Sequence, residues 1–388
     1  MRSKTRFLVL IASAPIIAFA VIGGFLGKAA ARDDTYQHLR VFEDVVSLIV
    51  NNYVEEVDLD KVMHGAMHGL ADGLDPDSAY LSREEVQHVE SGRQPGPADV
   101  GVQLTRQYYL RIVAVRDSSP AARAGLRSGD FIRMIDDRPT RDVSVFEGMR
   151  MLHGASGSSV KLTVIRGNAA DPRDVPLVRE TFSGPDVTSR VLDDGVGYLR
   201  IVTFDAKVAD GIRAKAAELS RSGVTKLVID VRSTAGGDLE QGVSSARLFV
   251  SSGTLAIRES RGADRESIVA VQGDGAIAFP VAVLVDAGTS GPAELFAAAL
   301  SAGKRAELIG EKTIGRAAVQ KLVKLPDGSG LWLSGARYLT AGGVPIHEKG
   351  IEPDVEVEQP DVEFGAATPT TDATLDKALE RLSMKKAA

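Results

Sequence analysis

Cysteine is absent from the 388 residues, which excludes disulfides, thiolate catalysis, Cys-ligated zinc and iron–sulfur clusters. Histidine is scarce: six copies scattered along the chain give a metal site little support, and no cofactor is implied. An excess of positive charge is missing too. The 46 Lys plus Arg against 52 Asp plus Glu leave a net charge of -6, so there is no basic field to draw nucleic acid, and DNA and RNA are excluded as partners. What the chain does have is 44% hydrophobic residues over a length that suits two or three domains, enough for a substantial core.

The N-terminus carries the signal for the compartment. Arg2, Lys4 and Arg6 precede an apolar run from Phe7 to Leu26 and then Ala29-Ala30-Ala31. A run of about 20 residues is long enough for one membrane span. Residues 1–31 are therefore read as a signal peptide or signal anchor, the anchor being preferred over cleavage after Ala31, and the rest of the chain as exported to a periplasmic or other extracytoplasmic space beside the inner membrane.

A helical arm is expected over 35–90. Leu39, Phe42, Val45, Val46, Ile49 and Val50 share one helical face between Thr35 and about Tyr53. Leu59, Val62, Met63, Ala66, Met67 and Leu70 repeat the spacing, with Asp58 as N-cap and Gly73 ending the helix. A Gly- and Pro-rich linker, 91–98, follows. Residues 99–180 read as a small module of strands (Val100–Leu104, Leu110–Val115, Asp130–Ile135, Val160–Arg166) with short helices. From 187 to 360 strands alternate with helices: Val196–Val202, Ala206–Ser220, Lys226–Arg232, Leu239–Val250, Val281–Val285 and Ala293–Leu300. That alternation implies an α/β layer with buried, largely parallel strands. The tail, 361–388, reads as a loop and one amphipathic helix through Leu375, Ala378, Leu379 and Leu382.

The string Ser119-Pro-Ala-Ala-Arg-Ala-Gly-Leu-Arg-Ser-Gly-Asp-Phe-Ile132 closely resembles part of a PDZ domain. Such a module adds a peptide C-terminus as a strand beside its edge strand, its backbone N–H groups receiving the carboxylate. Val100, Gly101, Val102, Gln103 and Leu104 sit where the carboxylate loop and edge strand belong. Asp99 stands where relatives often have glycine, adding a negative charge against the incoming carboxylate.

Taken in order, Leu74-Asp-Pro-Asp-Ser-Ala-Tyr-Leu81, the PDZ-like insert, Gly195-Val-Gly-Tyr-Leu-Arg-Ile201 and Gly350-Ile-Glu-Pro-Asp354 resemble a carboxyl-terminal processing protease of peptidase family S41. The resemblance spans residues 35 to 384. It implies an α/β fold, a ClpP/crotonase-like core with an N-terminal helical arm and an inserted PDZ domain, and the cleavage of exported proteins by a Ser–Lys dyad supported by a Gln.

The dyad positions depart from that pattern. The nucleophile segment resembles Thr289-Ser-Gly-Pro-Ala-Glu294, which puts the nucleophile at Gly291; the base segment resembles Gly310-Glu-Lys-Thr-Ile-Gly-Arg-Ala317, which puts the base at Arg316, with Gln320 following. Glycine has no side chain with which to attack, and arginine does not give up its proton at any working pH. By the same resemblance, Asp230-Val-Arg-Ser-Thr-Ala-Gly-Gly237 supplies an oxyanion hole from Gly236 and Gly237, with Thr234 and Ala235 in place of the family's Asn and Pro.

The expectation is an S41-family homologue that binds the C-terminal peptides of exported proteins and is catalytically inactive. Two alternatives stand beside it: an active serine-type endopeptidase with a displaced nucleophile, Ser290, and an assembly subunit, homo-oligomeric or joined to an active homologue. Lys312, four residues from Arg316, is the nearest lysine and is not expected to share the pocket.

Overall fold

In the computed structural model, residues 36–167, 171–182, 184–359, 364 and 371–384 are described. The expected signal or anchor segment lies outside them. Among the described residues, no helix is long and apolar enough to cross a membrane.

The chain divides into two units between residues 67 and 68. The first carries helix α1 (36–52) and most of α2 (Leu59–Asp72). Asp58 caps α2 as its spacing predicts, accepting the Lys61 N–H at 3.0 Å.

The second unit begins with strand β1 (Ala79–Leu81) and α3 (Arg83–Ser91). Helix α3 has little apolar periodicity to reveal it, but a reciprocal capping box between Ser82 and Glu85 starts it. A small antiparallel module follows: β2 (Val102–Gln107), β3 (Tyr109–Val115), α4 (Pro120–Arg123), β4 (Phe131–Ile135), β5 (Arg138–Pro139), α5 (Val145–Leu152), β6 (Ser159–Ile165) and β7 (Arg173–Val178). Its main path runs β2-β3-β4-β6-β7, so β2 is an outer strand. Leu104, Leu110, Ile112, Ile132, Ile135, Leu152 and Leu162 fill its core.

The remaining chain runs through β8 (Val187–Val191), β9 (Val196–Ile201), α6 (Val208–Arg221), β10 (Lys226–Asp230), α7 (Leu239–Ala246), β11 (Thr254–Ser260), β12 (Glu266–Val269), β13 (Val281–Val285), α8 (Pro292–Ala302), β14 (Ala306–Gly310), β15 (Ala318–Lys324), β16 (Gly330–Leu339), β17 (Val355–Glu356) and α9 (Ala373–Met384), and six of these strands build a largely parallel sheet. The order β17-β14-β13-β10-β9-β8 is monotonic, and only β8 pairs antiparallel. Right-handed crossovers that always step the same way leave their helices on one face. Accordingly α6, α7 and α8 share one hydrophobic cluster with Leu227, Ile229, Val281 and Val283, while α9 covers Val228, Ala282 and Leu284 on the other face. Every residue of β13 is buried, as its unbroken apolar run implies.

Two features differ from the expectation. A second, antiparallel sheet, β1-β16-β11-β12 with β15 on β16, packs beside the parallel one. Strands β12 and β15 are mostly half-buried or exposed and carry charged residues, so no apolar run marks them. Helix α7 stops at Ala246 rather than Val250, because the chain turns there and Gly275 N–H takes the Arg247 carbonyl.

Candidate active site

Two turns at the carboxyl ends of neighbouring strands form the site. The turn after β10 is set by Asp230, a buried carboxylate that accepts the Arg232 side chain (2.6 Å), the Arg232 N–H (2.9 Å) and the Tyr198 hydroxyl (2.6 Å). Burial acts to raise its pKa, but the Arg232 fork, with Arg200 and Tyr198, holds it below the ordinary carboxylate value. Thr234 ties this turn down: it is fully buried, its hydroxyl donating to the Ile201 carbonyl (2.8 Å) and accepting from Arg200 (2.8 Å). At the end of the turn, Gly237 sits at φ +104°, and a Cβ there would lie 2.2 Å from the Phe204 carbonyl oxygen. Among the described residues, neither the Gly236 nor the Gly237 N–H is paired with another backbone group.

The turn after β13 is stitched to the first. Asp286 accepts the Ser233 N–H (2.8 Å), the Gly288 N–H (3.0 Å) and the Thr289 hydroxyl (3.1 Å), and the Ser290 N–H donates to the Thr234 carbonyl (2.9 Å). Burial, and then the charge of Asp230, push the Asp286 carboxyl up against those donors. Gly291 then turns the chain into α8 with φ 58° and ψ -116°, a conformation that side chains rarely adopt. A Cβ built on it would meet the Arg316 carbonyl oxygen at 3.5 Å and Leu239 at 3.6 Å, ordinary contact distances. The turn therefore has room for a side chain at 291, although its φ does not favour one.

Glu294, three residues into α8, is fully buried and joins this turn to the base segment. Its two oxygens accept the N–H groups of Gly291 (2.9 Å), Gly315 (2.7 Å) and Arg316 (2.8 Å) and the Thr313 hydroxyl (2.5 Å). Burial drives its pKa up, and these four donors pull it only part of the way back. The sequence shows Glu294 only as the last residue of the nucleophile-like segment. The signal for its role was its place at the third helical position behind a glycine N-cap.

Arg316 is half-buried, and its guanidinium is committed elsewhere than to the Gly291 turn. Nη2 and Nε reach Asp77 at 2.5 and 3.2 Å, and Nη1 reaches the Leu104 carbonyl at 2.7 Å. Asp77 lies within the Leu74–Leu81 motif, and nothing in its spacing marks it as a partner of Arg316. Gln320 donates to the Ser334 hydroxyl (3.2 Å) across the β15–β16 pair. Ser290 is 1% exposed, closed off from solvent. Lys312 is on the surface, paired with Glu352 at 2.6 Å. One His-x-x-x-His spacing does exist, His64 and His68 in α2; the ring of His68 lies edge-on to Tyr80, 5.5 Å between centroids.

The small module abuts the same turns. The Val115 N–H donates to the Ser233 hydroxyl (3.0 Å), a Cβ on Gly288 would lie 2.8 Å from the Val113 carbonyl, and Arg200 forks onto Asp117 (2.9 and 3.0 Å). A cavity of about 550 Å³, lined by Asp72, Asp75, Arg106, Tyr108, Arg141 and Glu348 among others, has none of Gly291, Ser290 and Gly236 in its wall.

Residues 195–357 match peptidase family S41, residues 98–177 the PDZ domain family, and residues 24–85 the family described as the activating protease CtpB N-terminal domain. The chain is 31% identical over 335 residues to the carboxy-terminal-processing protease of Bartonella bacilliformis, covering 84% of this chain and 76% of that one. It is 29% identical over 367 residues to the carboxy-terminal processing protease CtpA of Bacillus subtilis, covering 92% and 78%. The solved structure of a photosystem II D1 C-terminal processing protease is similar at 26% identity with a TM-score of 0.68, covering 82% of this chain and 92% of that one. The protein belongs to peptidase family S41, among the PDZ-bearing carboxyl-terminal processing proteases.

Proposed function

We propose that the chain is an exported pseudoprotease, a receptor for exposed protein C-termini that engages them through its PDZ module and hydrolyses nothing. The observation that carries this reading is the pair Gly291 and Arg316. The first offers no nucleophile, and the second is a fixed cation already bonded to Asp77 and Leu104, so neither half of a Ser–Lys dyad is present. The burial of Ser290 and the surface pairing of Lys312 support the same conclusion against a displaced dyad. The Gly236 and Gly237 N–H groups, which have no backbone partner among the described residues, are read as the relic of an oxyanion hole. Export, with the first 31 residues as signal or anchor beside the inner membrane, rests on the basic flank and apolar run alone.

Restoration tests the reading. Gly291→Ser supplies an unactivated hydroxyl and Arg316→Lys a base with nothing to activate, so each single variant stays inactive on an unfolded protein substrate. The double variant supplies both, and its turnover exceeds either single by on the order of 100-fold or more, because such residues act as a unit. Turnover by the native chain that resists both changes would overturn the proposal. A second reading, an assembly subunit paired with itself or with an active homologue, is favoured by the apolar face of the arm at Leu39, Phe42, Val45, Val46 and Ile49. Copurification followed by mass measurement separates the two.

A further inference from the structure

The outer strand β2 leaves one edge of the PDZ sheet open, and an added peptide would run along it with its terminal carboxylate on the N–H groups that lead into β2. Two of the groups that such a ligand needs are already engaged by the chain itself. At the carboxylate end, the Asp99 Oδ1 accepts the Gly101 N–H at 2.5 Å. Asp99 is held there by a two-way backbone pair with Glu180 (3.1 and 2.9 Å), and Gly101 has φ +80°, with Ser119 2.2 Å from any added Cβ. Further along, the Leu104 carbonyl accepts Arg316 Nη1 at 2.7 Å from outside the sheet, the side on which a ligand strand would donate. The same guanidinium forks onto Asp77, whose side chain is 9% exposed, so the contact is braced from behind.

We infer that the PDZ groove is self-ligated. The Asp99 carboxylate occupies the place of a ligand's terminal carboxylate, and the Arg316 guanidinium takes the place of a ligand's backbone donor. This rests on the reading of the module as a receptor for chain ends. Capture of a free C-terminus must displace both groups, and an incoming carboxylate also meets the like charge of Asp99. Displacing Arg316 unties β2 from Asp77 and from the segment that holds Gly315 and Glu294, so capture at the PDZ edge reaches the former base position directly. A lysine could not make this bridge, because its point-like ammonium lacks the planar fork that spans a carboxylate and a carbonyl together.

The test measures fluorescence anisotropy of fluorescein-labelled decapeptides ending in Ala, Val or Leu, each as free acid and as amide. They are titrated with the full chain, Asp99→Gly, Arg316→Lys and the double variant. Glycine at 99 keeps the backbone pair with Glu180, and lysine at 316 keeps a cation beside Asp77, so both variants retain the packing around them. Hydrogen exchange of residues 102–107 is followed in parallel. The expected result is a several-fold gain in free-acid affinity for each single variant and at least tenfold for the double, with no gain for the amides and faster exchange at 102–107 in Arg316→Lys. Native binding as tight as that of the double variant would overturn self-ligation while leaving the receptor reading intact. Absence of binding by every variant, with exchange at 102–107 nonetheless accelerated, would remove the receptor reading, and the inferred competition with it.

Discussion

On the function proposed above, the turn into α8 and the groove beside β2 both lack a ready function, but in opposite ways. At Gly291 the backbone holds its turn, Glu294 satisfies four donors, and a Cβ has room, but there is no side chain. Beside β2 nothing is missing, and the groups that would receive a peptide are taken by Asp99 and Arg316. An absent side chain is reversed only by putting atoms back. An occupied groove is reversed by competition, with the fold unchanged.

That contrast ranks the effects of mutation. Glu294→Ala is the most damaging, because it strands three buried N–H groups and a hydroxyl at the junction of two segments; a loss of about 3–5 kcal/mol in urea unfolding is expected. If the loss were under about 1 kcal/mol, the turn into α8 would not be held in the way described. Asp230→Asn comes next, at about 3 kcal/mol, since it leaves Arg232 short of a partner in a buried network.

These two carboxylates also give opposite pH signatures. The Asp230 pKa is lowered in the fold, so its stabilisation is present above its unfolded value of about 3.9 and is lost as pH falls through the folded value. The Glu294 pKa is raised, so its contribution is present below about 4.3 and is lost as pH rises through the folded value. Stability measured against pH should therefore lose part of its acid-side decline in Asp230→Asn. An unchanged acid limb would show that Asp230 is not held ionised.

Gly291→Ser tests the turn at a smaller scale. The contact distances allow the side chain, but φ 58° does not favour it, so a cost of about 1–3 kcal/mol is expected from backbone strain alone. No measurable cost would mean that the turn relaxes and no longer aims a side chain at the Arg316 segment. Smallest of all is Gln320→Ala, with one cross-strand hydrogen bond to lose and about 0.5–1 kcal/mol expected. A larger loss would assign Gln320 a partner beyond Ser334.

Much of this organisation was legible in the sequence because it depends on local rules. Apolar spacing marked α1 and α2, an unbroken apolar run marked β13, and the stretch Ala293–Leu300 marked α8. The antiparallel sheet through β11, β12, β15 and β16 was not, since its strands carry little continuous apolar signal and owe their burial to distant partners such as β1. The substitution at 316 was visible as a change of residue type, but its destination was not. Asp77 and the Leu104 carbonyl lie more than 200 positions away, beyond the reach of any spacing argument. Asp99 was legible as a misplaced charge, and the structure adds the N–H that it caps.

If no working nucleophile remains, Ser290, the hydroxyl proposed as a substitute, must be idle. Unfolded β-casein incubated with the purified chain from Arg32 onward, in parallel with its Ser290→Ala variant and an active relative as control, tests it most directly. Cleavage is expected from the relative and from neither form of this chain. Fragments produced by the native chain and abolished by Ser290→Ala would contradict it.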